Sequence, residues 1–267
     1  TLCSTITLPL IETFNSNSTT EDCWTVLNEN NDNDSWNLNY TFNPFEGNQS
    51  AILFTDGNNG NNNDWLISPQ VSLTGNQRLR YRYRVQSATE PNDFRVMISV
   101  NGTNPTNFET LVPLASYSNI VYQEMTVNLA TFQGDVNLAW HVPQGGLDGW
   151  RLYIDDVIVE EIPSCIEPLE VNLATILPTS VEVSWLNDIA TEHHILALPC
   201  GSPAPSASDT GFIVTTTNPT VITGLTPNTC YDFYVRAVCN QNDISVWSNR
   251  VAGTTQLAPP ECGSQFI

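Results

Sequence analysis

The chain contains no lysine, and its eight basic residues, all arginine, stand against 28 acidic residues in 267 positions. The formal net charge of −20 at pH 7 repels phosphate backbones, so we do not expect a nucleic-acid partner. A negative surface of this size attracts divalent cations instead. The charge balance therefore favours a metal-binding function over a nucleic-acid-binding one.

The chain also lacks a long apolar segment. No run approaches the roughly 20 residues of a membrane-spanning helix, so no direct membrane insertion is expected. The opening "TLCSTITLPLIETF" (1–14) has neither the basic start nor the apolar core of a signal peptide. If the protein is exported, we expect this chain to be a mature or excised piece of a longer multidomain protein.

Histidine is scarce, with three residues, and none of the seven cysteines forms a CxxC pair. A tetrahedral zinc site is therefore not expected. Well-spaced cysteines in an acidic chain favour disulfides and an oxidising compartment, and Cys3 and Cys23 are predicted to pair. Seven is an odd number, so we expect Cys262 to lack a partner within the chain. Residues 258–267 are interpreted as a linker or the start of a following module.

No helical run of convincing length is present, and apolar and polar residues alternate with period two. "RLRYRYRV" (78–85) places apolar side chains on one face and four arginines on the other. Similar strands are predicted at 135–142, 151–161 and 231–239, with turn signals such as "DGNNGNNND" (56–64) between them. The sequence predicts an all-β protein.

A domain boundary is predicted near "EEIPSCIEP" (160–168), where two prolines and a cysteine interrupt the alternation. Residues 1–162, with long Asn-rich loops, have the pattern of a jelly-roll β-sandwich. Residues 163–257 have the length and the short strands of an immunoglobulin-like β-sandwich. We therefore expect two β domains in sequence.

The segment "ITGLTPNTCYDFYVRAVC" (222–239) resembles the E–F region of a fibronectin type III domain. The resemblance implies that Tyr231 ties its hydroxyl to upstream backbone and that Trp185 lies in the core. By comparison with bacterial surface versions, it also implies two disulfides, Cys165–Cys239 and Cys200–Cys230, although four cysteines allow three pairings. The expected role is a spacer, with ligand binding as the alternative.

Three pieces of the first region are specific: "DWLISP" (64–69), "FRVMISV" (94–100) with its following glycine turn, and "IDDV" (154–157). Together they resemble the cleaved-adhesin, or choice-of-anchor J, jelly roll over about residues 8–162. That family includes the adhesin segments of gingipain-type proteases and is related in architecture to MAM domains and carbohydrate-binding modules. The pairing with a fibronectin module implies a secreted or cell-surface protein of type-IX-secreting bacteria.

The loop "NENNDNDSWNL" (28–38) places side-chain oxygens at alternate positions, and Ca²⁺ prefers six to eight oxygen ligands. It lacks the glycine and the bidentate glutamate of an EF-hand. The family resemblance implies one structural calcium held by Glu12, Asn28, Asn30, Asp32, Asp34 and Asp155 or Asp156. The alternative is a hydrated turn with Asx bonds. For residues 56–64 a mobile polar loop is expected, with a second ion at Asp56 or Asp64 as the alternative.

Recognition residues are predicted on two features. Arg80 and Arg82 belong to an arginine face that would suit an anionic glycan, or that pairs with acids on neighbouring strands. Trp36 and Trp150 are the tryptophans with the best prospect of exposure for stacking on sugars, although strand tryptophans usually fill cores. His141 is interpreted as a hydrogen-bonded structural residue.

No nucleophile elbow, HExxH motif or phosphate-binding glycine loop is present, so we do not expect an enzyme. Neighbours on a strand point to opposite faces, which argues against Asp155 and Asp156 acting together on a glycosidic bond. The predicted function is non-catalytic adhesion or carbohydrate binding, with a glycan or a surface protein of a host or neighbouring cell as partner. The alternatives are a structural spacer beside a secreted protease or glycosidase and, last, a hydrolase with an unconventional site.

Overall fold

The computed structural model describes residues 3–55, 60–147, 149–186 and 190–259. The fold is all-β, as the alternation predicts, and helix is confined in these ranges to the short 3-10 turns Glu21–Cys23 and Pro105–Asn107. None of the helical segments described reaches the length and apolarity needed to cross a bilayer. The chain divides into two compact units, Thr1–Ile162 and Pro163–Ile267. Asp56, one of the two candidates for a second ion, lies outside the described ranges.

The first unit is a sandwich of antiparallel strands. Its strands are β1 (Leu10–Glu12), β2 (Thr25–Asn28), β3 (Asn37–Tyr40), β4 (Ser50–Phe54), β5 (Asp64–Ile67), β6 (Val71–Leu73), β7 (Gln77–Val85), β8 (Asn92–Ser99), β9 (Glu109–Tyr117), β10 (Gln123–Asn128), β11 (Gly134–Val142) and β12 (Arg151–Glu161). One sheet, here called sheet A, has the order β10-β7-β12-β4-β3 with β1 beside β12. The other, sheet B, has the order β2-β5-β11-β8-β9 with β6 beside β11.

The core of this unit lies between the two sheets. Strand alternation on β7 sends Leu79, Tyr81, Tyr83 and Val85 inward, where all four are buried in one cluster with Trp140 of β11. The arginines of β7 consequently lie on the opposite, outer face of sheet A. Burying such large side chains contributes roughly 1.5–3 kcal/mol each, which fixes the register of the strands that carry the candidate sites.

The second unit has two smaller antiparallel sheets. Its strands are β13 (Leu169–Ile176), β14 (Ser180–Leu186), β15 (Glu192–Pro199), β16 (Ile213–Thr215), β17 (Thr220–Thr223), β18 (Cys230–Asn240), β19 (Asp243–Ile244) and β20 (Val251–Thr254). The sheets have the orders β13-β14-β17 and β16-β15-β18-β19, with β20 beside β18. Val183, Trp185, Phe233 and Val235 meet in the core between them.

Among the described residues there are three disulfides, Cys3–Cys23, Cys165–Cys239 and Cys200–Cys230, and these are the expected pairs. They close separations of 20, 74 and 30 residues, respectively. On the chain-entropy account each stabilises the fold by about 3–4.5 kcal/mol. Cys262 lies outside the described residues, as do residues 260–267 of the predicted linker or module start over 258–267.

Candidate functional site

The loop between β2 and β3 is closed by its own side chains. The amide nitrogen Nδ2 of Asn28 donates to the backbone oxygens of Asp32 at 3.0 Å and Asp34 at 2.8 Å. Asn28 Oδ1 accepts from the backbone N–H of Asn31 at 2.9 Å, and Asn31 has the left-handed φ of 55°. Asp32 Oδ1 accepts from Asp34 N–H at 2.9 Å. These are the Asx bonds of the polar-turn alternative, and they hold the loop in one conformation.

Asp64, the first residue of β5, lies beside this loop. It is the register partner of Asn28, and its side chain is fully buried. Its Oδ2 accepts from the N–H of Asn63 at 3.3 Å, whereas Oδ1 has no hydrogen-bond partner in the described structure. Loss of hydration raises the pKa of Asp64 to about 7, and the charges of Asp32 and Asp34 act in the same direction. A buried carboxylate has therefore been left with one oxygen unsatisfied.

Asn30 links the loop to the segment that precedes β5. Its Nδ2 donates to Asp32 Oδ2 at 2.6 Å and to the carbonyl of Asn61, while its own Oδ1 is buried without a partner. Two unpartnered oxygens and three mutually repelling carboxylates form the kind of donor set that a hard cation satisfies. Within the described ranges no group of three or more His, Cys, Asp or Glu is arranged to hold a metal. Amide and backbone oxygens would therefore have to complete a coordination shell here.

Glu12, expected as a ligand of the same ion, is satisfied within its own segment. It is fully buried and accepts from Phe14 N–H at 2.6 Å, Ser18 Oγ at 3.0 Å and Thr20 Oγ1 at 2.7 Å. Glu12 follows Leu10 by two positions on β1, so its side chain lies on the inner face of sheet A, where Leu10 joins the core. Its three donors already occupy it.

Asp155 lies on the outer face of sheet A, opposite Arg82 in register. It is fully buried and accepts from the N–H groups of Phe45 and Asp156, both at 2.8 Å. Burial raises its pKa to about 7 despite these two bonds. Glu12 and Asp155 are on opposite faces of one sheet and cannot bind one ion together, which corrects that part of the predicted ligand set.

Asp156 occupies a β-bulge, with φ of 45°, where the pairing shifts between Asp155 and Ile158. The extra residue breaks the alternation that would have placed the two aspartates on opposite faces. Burial and the charge of Glu46 raise the pKa of Asp156 to about 6, against the lowering effect of Arg82 and Arg80. Both aspartates therefore interact with groups on the outer face of sheet A. The expectation that their side chains lie on opposite faces of the strand was wrong.

The arginine face is largely paired with acids. Arg78 and Arg80 contact Glu160, each at 2.8 Å, and Arg80 also contacts Glu124 at 3.2 Å. Arg82 contacts Glu124 at 3.0 Å, and its guanidinium lies 4.5 Å from the ring centre of Phe45. The pairing expected as the alternative for Arg80 and Arg82 is thus present, and it occupies the groups that a glycan would need.

The two tryptophans differ in exposure. Trp36 is 5% exposed and belongs to the core cluster, so no ring face remains for a sugar, and the structure removes it from the candidates. Trp150 is partly exposed, and the guanidinium of Arg151 lies 5.2 Å from its ring centre. Trp150 therefore has the partial exposure that was expected, and it lies beside Arg151.

Two structural expectations for other polar residues are met. His141 stacks on Trp65 with ring centres 3.7 Å apart, accepts from Arg95 Nε at 3.0 Å and contacts Asn63 Oδ1 at 2.9 Å. Burial lowers its pKa to about 3, so it is a neutral, hydrogen-bonded residue. In the second unit, the hydroxyl of Tyr231 accepts from the N–H of Thr226 at 3.0 Å, as predicted.

Sequence reasoning missed the pairing of Asp64 with the loop and the position of Arg151. The sequence suggests Asp64 only for a second ion, because 36 residues separate it from Asn28 and only the β2–β5 register joins them. One signal was available. Asp64 directly precedes the apolar run Trp65–Ile67, and an acid at the start of a buried strand lies where a neighbouring loop can reach it.

Residues 7–159 match a family model described as Cleaved Adhesin Domain. No curated protein matches the chain. Among solved structures, the K2 cleaved adhesin domain of Lys-gingipain is 22% identical, with a TM-score of 0.48, covering 58% of this chain and 99% of that one. The K1 domain of Lys-gingipain from Porphyromonas gingivalis W83 is 18% identical, with a TM-score of 0.49, covering 58% and 98%.

The second unit has its own structural match. The FN5 domain of Drosophila Lar is 23% identical, with a TM-score of 0.29, and the match covers 35% of this chain and 99% of that domain.

Proposed function

The chain belongs to the cleaved adhesin family over residues 7–159, and from that membership we propose that it is a non-catalytic adhesion region of a secreted or cell-surface protein. Three disulfides support an oxidising, extracellular location. The first unit would bind a glycan or a surface protein of a neighbouring cell. The type IX export route remains a proposal that follows from the same resemblance.

The second unit is proposed to be a fibronectin type III domain that acts as a spacer. Its sheet orders, three strands facing four with an added edge strand, suit that sandwich. The hydrogen bond from Thr226 to Tyr231 is the tyrosine-corner contact of such domains. The Cys165–Cys239 bridge ties the start of this unit to the end of β18, which would stiffen it as a spacer.

A structural calcium at the β2–β3 loop is the second part of the proposal. The observation that carries it is the buried Asp64 Oδ1, which has no hydrogen-bond partner in the described structure and lies within the field of Asp32 and Asp34. Asp64 and Asn30, whose Oδ1 atoms have no partner in the described structure, would hold the ion together with either Asp32 or Asp34, and backbone oxygens such as the carbonyl of Asn61 would complete the shell. The double charge of the ion would offset two of the three carboxylate charges and join the loop to β5; no reaction is assigned to it.

Thermal unfolding in the presence of calcium and then of a chelator tests this part of the proposal. A ligand that binds only the folded state raises stability by mass action, by about 2.7 kcal/mol at 100 times its Kd. We expect the unfolding midpoint of the first unit to rise with calcium and to return after chelation. An unchanged midpoint would remove calcium from the proposal and leave the polar turn.

Adhesion is tested separately, on a glycan array and by retention on insoluble polysaccharides and bacterial or host cells. Retention through the first unit alone supports the adhesive role. If nothing retains the whole chain or either unit, the spacer role extends to both units. The raised pKa of Asp155 does not favour catalysis, because its side chain is fully buried and both of its oxygens accept backbone N–H groups.

A further inference from the structure

The outer face of β7 carries four arginines, at 78, 80, 82 and 84, and the last of them differs from the others in its neighbours. Across β7, the register partner of Arg82 on β12 is Asp155, whereas that of Arg84 is Tyr153. On the other side, Glu124 of β10 is opposite Arg82, and the residue preceding the strand is Tyr122. Acids on both neighbouring strands are therefore replaced by tyrosines at the level of Arg84. Three arginines of this face have carboxylate partners, and in the described structure Arg84 has none.

Arg84 lies against aromatic rings instead. Its guanidinium carbon is 4.7 Å from the ring centre of Tyr153 and 5.7 Å from that of Tyr122. Its Nε is buried without an acceptor, and the side chain as a whole is partly exposed. The hydroxyls of the two tyrosines are directed elsewhere, to Gln86 Oε1 at 2.6 Å and to the Asn43 carbonyl at 3.1 Å. The rings hold the guanidinium in place, and no described carboxylate forms an ion pair with it.

Arg151, a neighbour of Arg84 on the outer face, likewise lies against aromatic rings and has no carboxylate partner among the described residues. Arg151 is two positions before Tyr153 on β12, so it projects from the same outer face and is a diagonal neighbour of Arg84. Diagonal neighbours lie about 7–8 Å apart, with their Cβ atoms somewhat closer. The Arg151 guanidinium lies 5.2 Å from the ring centres of both Phe54 and Trp150, and no described carboxylate pairs with it.

We propose that Arg84 and Arg151 form a subsite for the carboxylates of a uronic-acid oligosaccharide, with the aromatic rings as its floor. The inference rests on the proposed adhesive function and names the class of ligand. A guanidinium takes a carboxylate through two parallel N–H bonds, which gives orientation as well as affinity. The partly exposed Trp150, Phe54 and Tyr122 offer apolar ring faces against which sugar rings pack.

The charge of the whole chain selects among anionic ligands. A net charge of −20 opposes the approach of densely charged polyanions such as heparin. A short oligosaccharide with widely spaced carboxylates brings few charges and places them on the two arginines that have no described carboxylate partner. The structure therefore favours sparse carboxylates over dense sulfates.

The test titrates the intact chain with tri-galacturonate, with the same trisaccharide after its carboxyls have been reduced to alcohols, and with heparin, by isothermal titration calorimetry. We expect tri-galacturonate to bind and the reduced sugar to lose binding. Arg84→Gln and Arg151→Gln should each weaken tri-galacturonate binding by about tenfold, as expected for loss of a charge-assisted pair. Arg250→Gln is the control, because it removes the same charge from a side chain that is 60% exposed in the second unit. It should leave tri-galacturonate binding unchanged.

Circular dichroism melts of the three variants establish that each is folded. The proposal is overturned if tri-galacturonate does not bind, if the reduced sugar binds equally well, if Arg250→Gln weakens binding as much as the two site variants, or if heparin binds more tightly through the same arginines. Retention on cells and arrays is measured in parallel. If the chain is retained on cells or arrays but does not bind tri-galacturonate, only the subsite is refuted. If the chain is retained on neither, the adhesive function itself is refuted.

Discussion

Glu12 and Asp64 are both fully buried carboxylates of the first unit, and they differ in their partners. Glu12 accepts three hydrogen bonds from a turn that folds around it. Asp64 accepts one, at 3.3 Å, and one of its oxygens has no partner in the described structure. The two carboxylates are therefore equally buried, but only Glu12 has hydrogen-bond donors for both of its oxygens. Glu12 thus stabilises the fold as it is, whereas Asp64 keeps one unsatisfied oxygen, which the proposed calcium would use.

The largest effect is expected from Glu12→Ala. It leaves three donors without their acceptor, and at 1–3 kcal/mol for each buried one we expect a loss of about 3 kcal/mol or more in unfolding free energy. Urea unfolding with and without calcium measures it. Because Glu12 is assigned no part in ion binding, the calcium dependence should survive. A variant that lost its calcium response would place Glu12 in the metal site after all.

The next largest effect is expected from Asp64→Asn, which should raise stability without calcium and lower it with calcium. Without calcium, Asp64→Asn should unfold at a higher temperature than the native chain, because it removes a buried charge whose pKa is raised to about 7. With calcium, the native chain should be the more stable, by about 2–3 kcal/mol at saturating ion. Glu161→Gln, at the far end of β12, serves as a charge-matched control. Equal shifts in both buffers would erase the contrast with Glu12.

Asp155 lies between the two cases, with two backbone donors and a raised pKa. Since its pKa is about 7 when folded and 3.8 ordinarily, the native chain binds more protons in that window, and this residue makes stability fall as pH rises from about 4 to 7. A tenfold change in proton affinity corresponds to about 1.4 kcal/mol of free energy. Asp155→Asn should flatten the profile of unfolding midpoint against pH, whereas Asp135→Asn, at an exposed position, should keep the native slope. A native profile that does not fall over this window would contradict the assignment.

The smallest effect is expected from Asn31→Gly. Asn31 has the left-handed φ of 55°, which glycine adopts without steric cost, and only its backbone N–H bonds to Asn28. We expect a change within about 0.5 kcal/mol and an unaltered calcium response. Calorimetry of calcium binding checks it. A lost response would show that the Asn31 side chain, rather than the neighbouring oxygens, forms the site.

Much of the fold is readable from local pattern. The alternation in 78–85 has one solution on a sandwich, with Tyr81 and Tyr83 inside and the arginines outside, because a one-residue slip would expose every apolar side chain. The cysteine pairs are also the expected ones, but those of the second unit were implied by the family resemblance and not by local pattern. The alternation rule failed at Asp156, where the bulge inserts one residue, and no local feature of "IDDV" announces that bulge.

The sequence by itself determined an acidic all-β chain, because charge and hydrophobic period are local properties that any sandwich must accommodate. The two disulfide pairs of the second unit came from the family resemblance, since the four cysteines alone allow three pairings. Only the tertiary structure decided which oxygens meet. It separated Glu12 from Asp155 by the thickness of a sheet and brought Asp64 to the β2–β3 loop across 36 positions. It also left Arg84 and Arg151 without acids in the part of the chain that the structure describes. Such meetings depend on strand order and register, which are set by the packing of the whole core rather than by any segment.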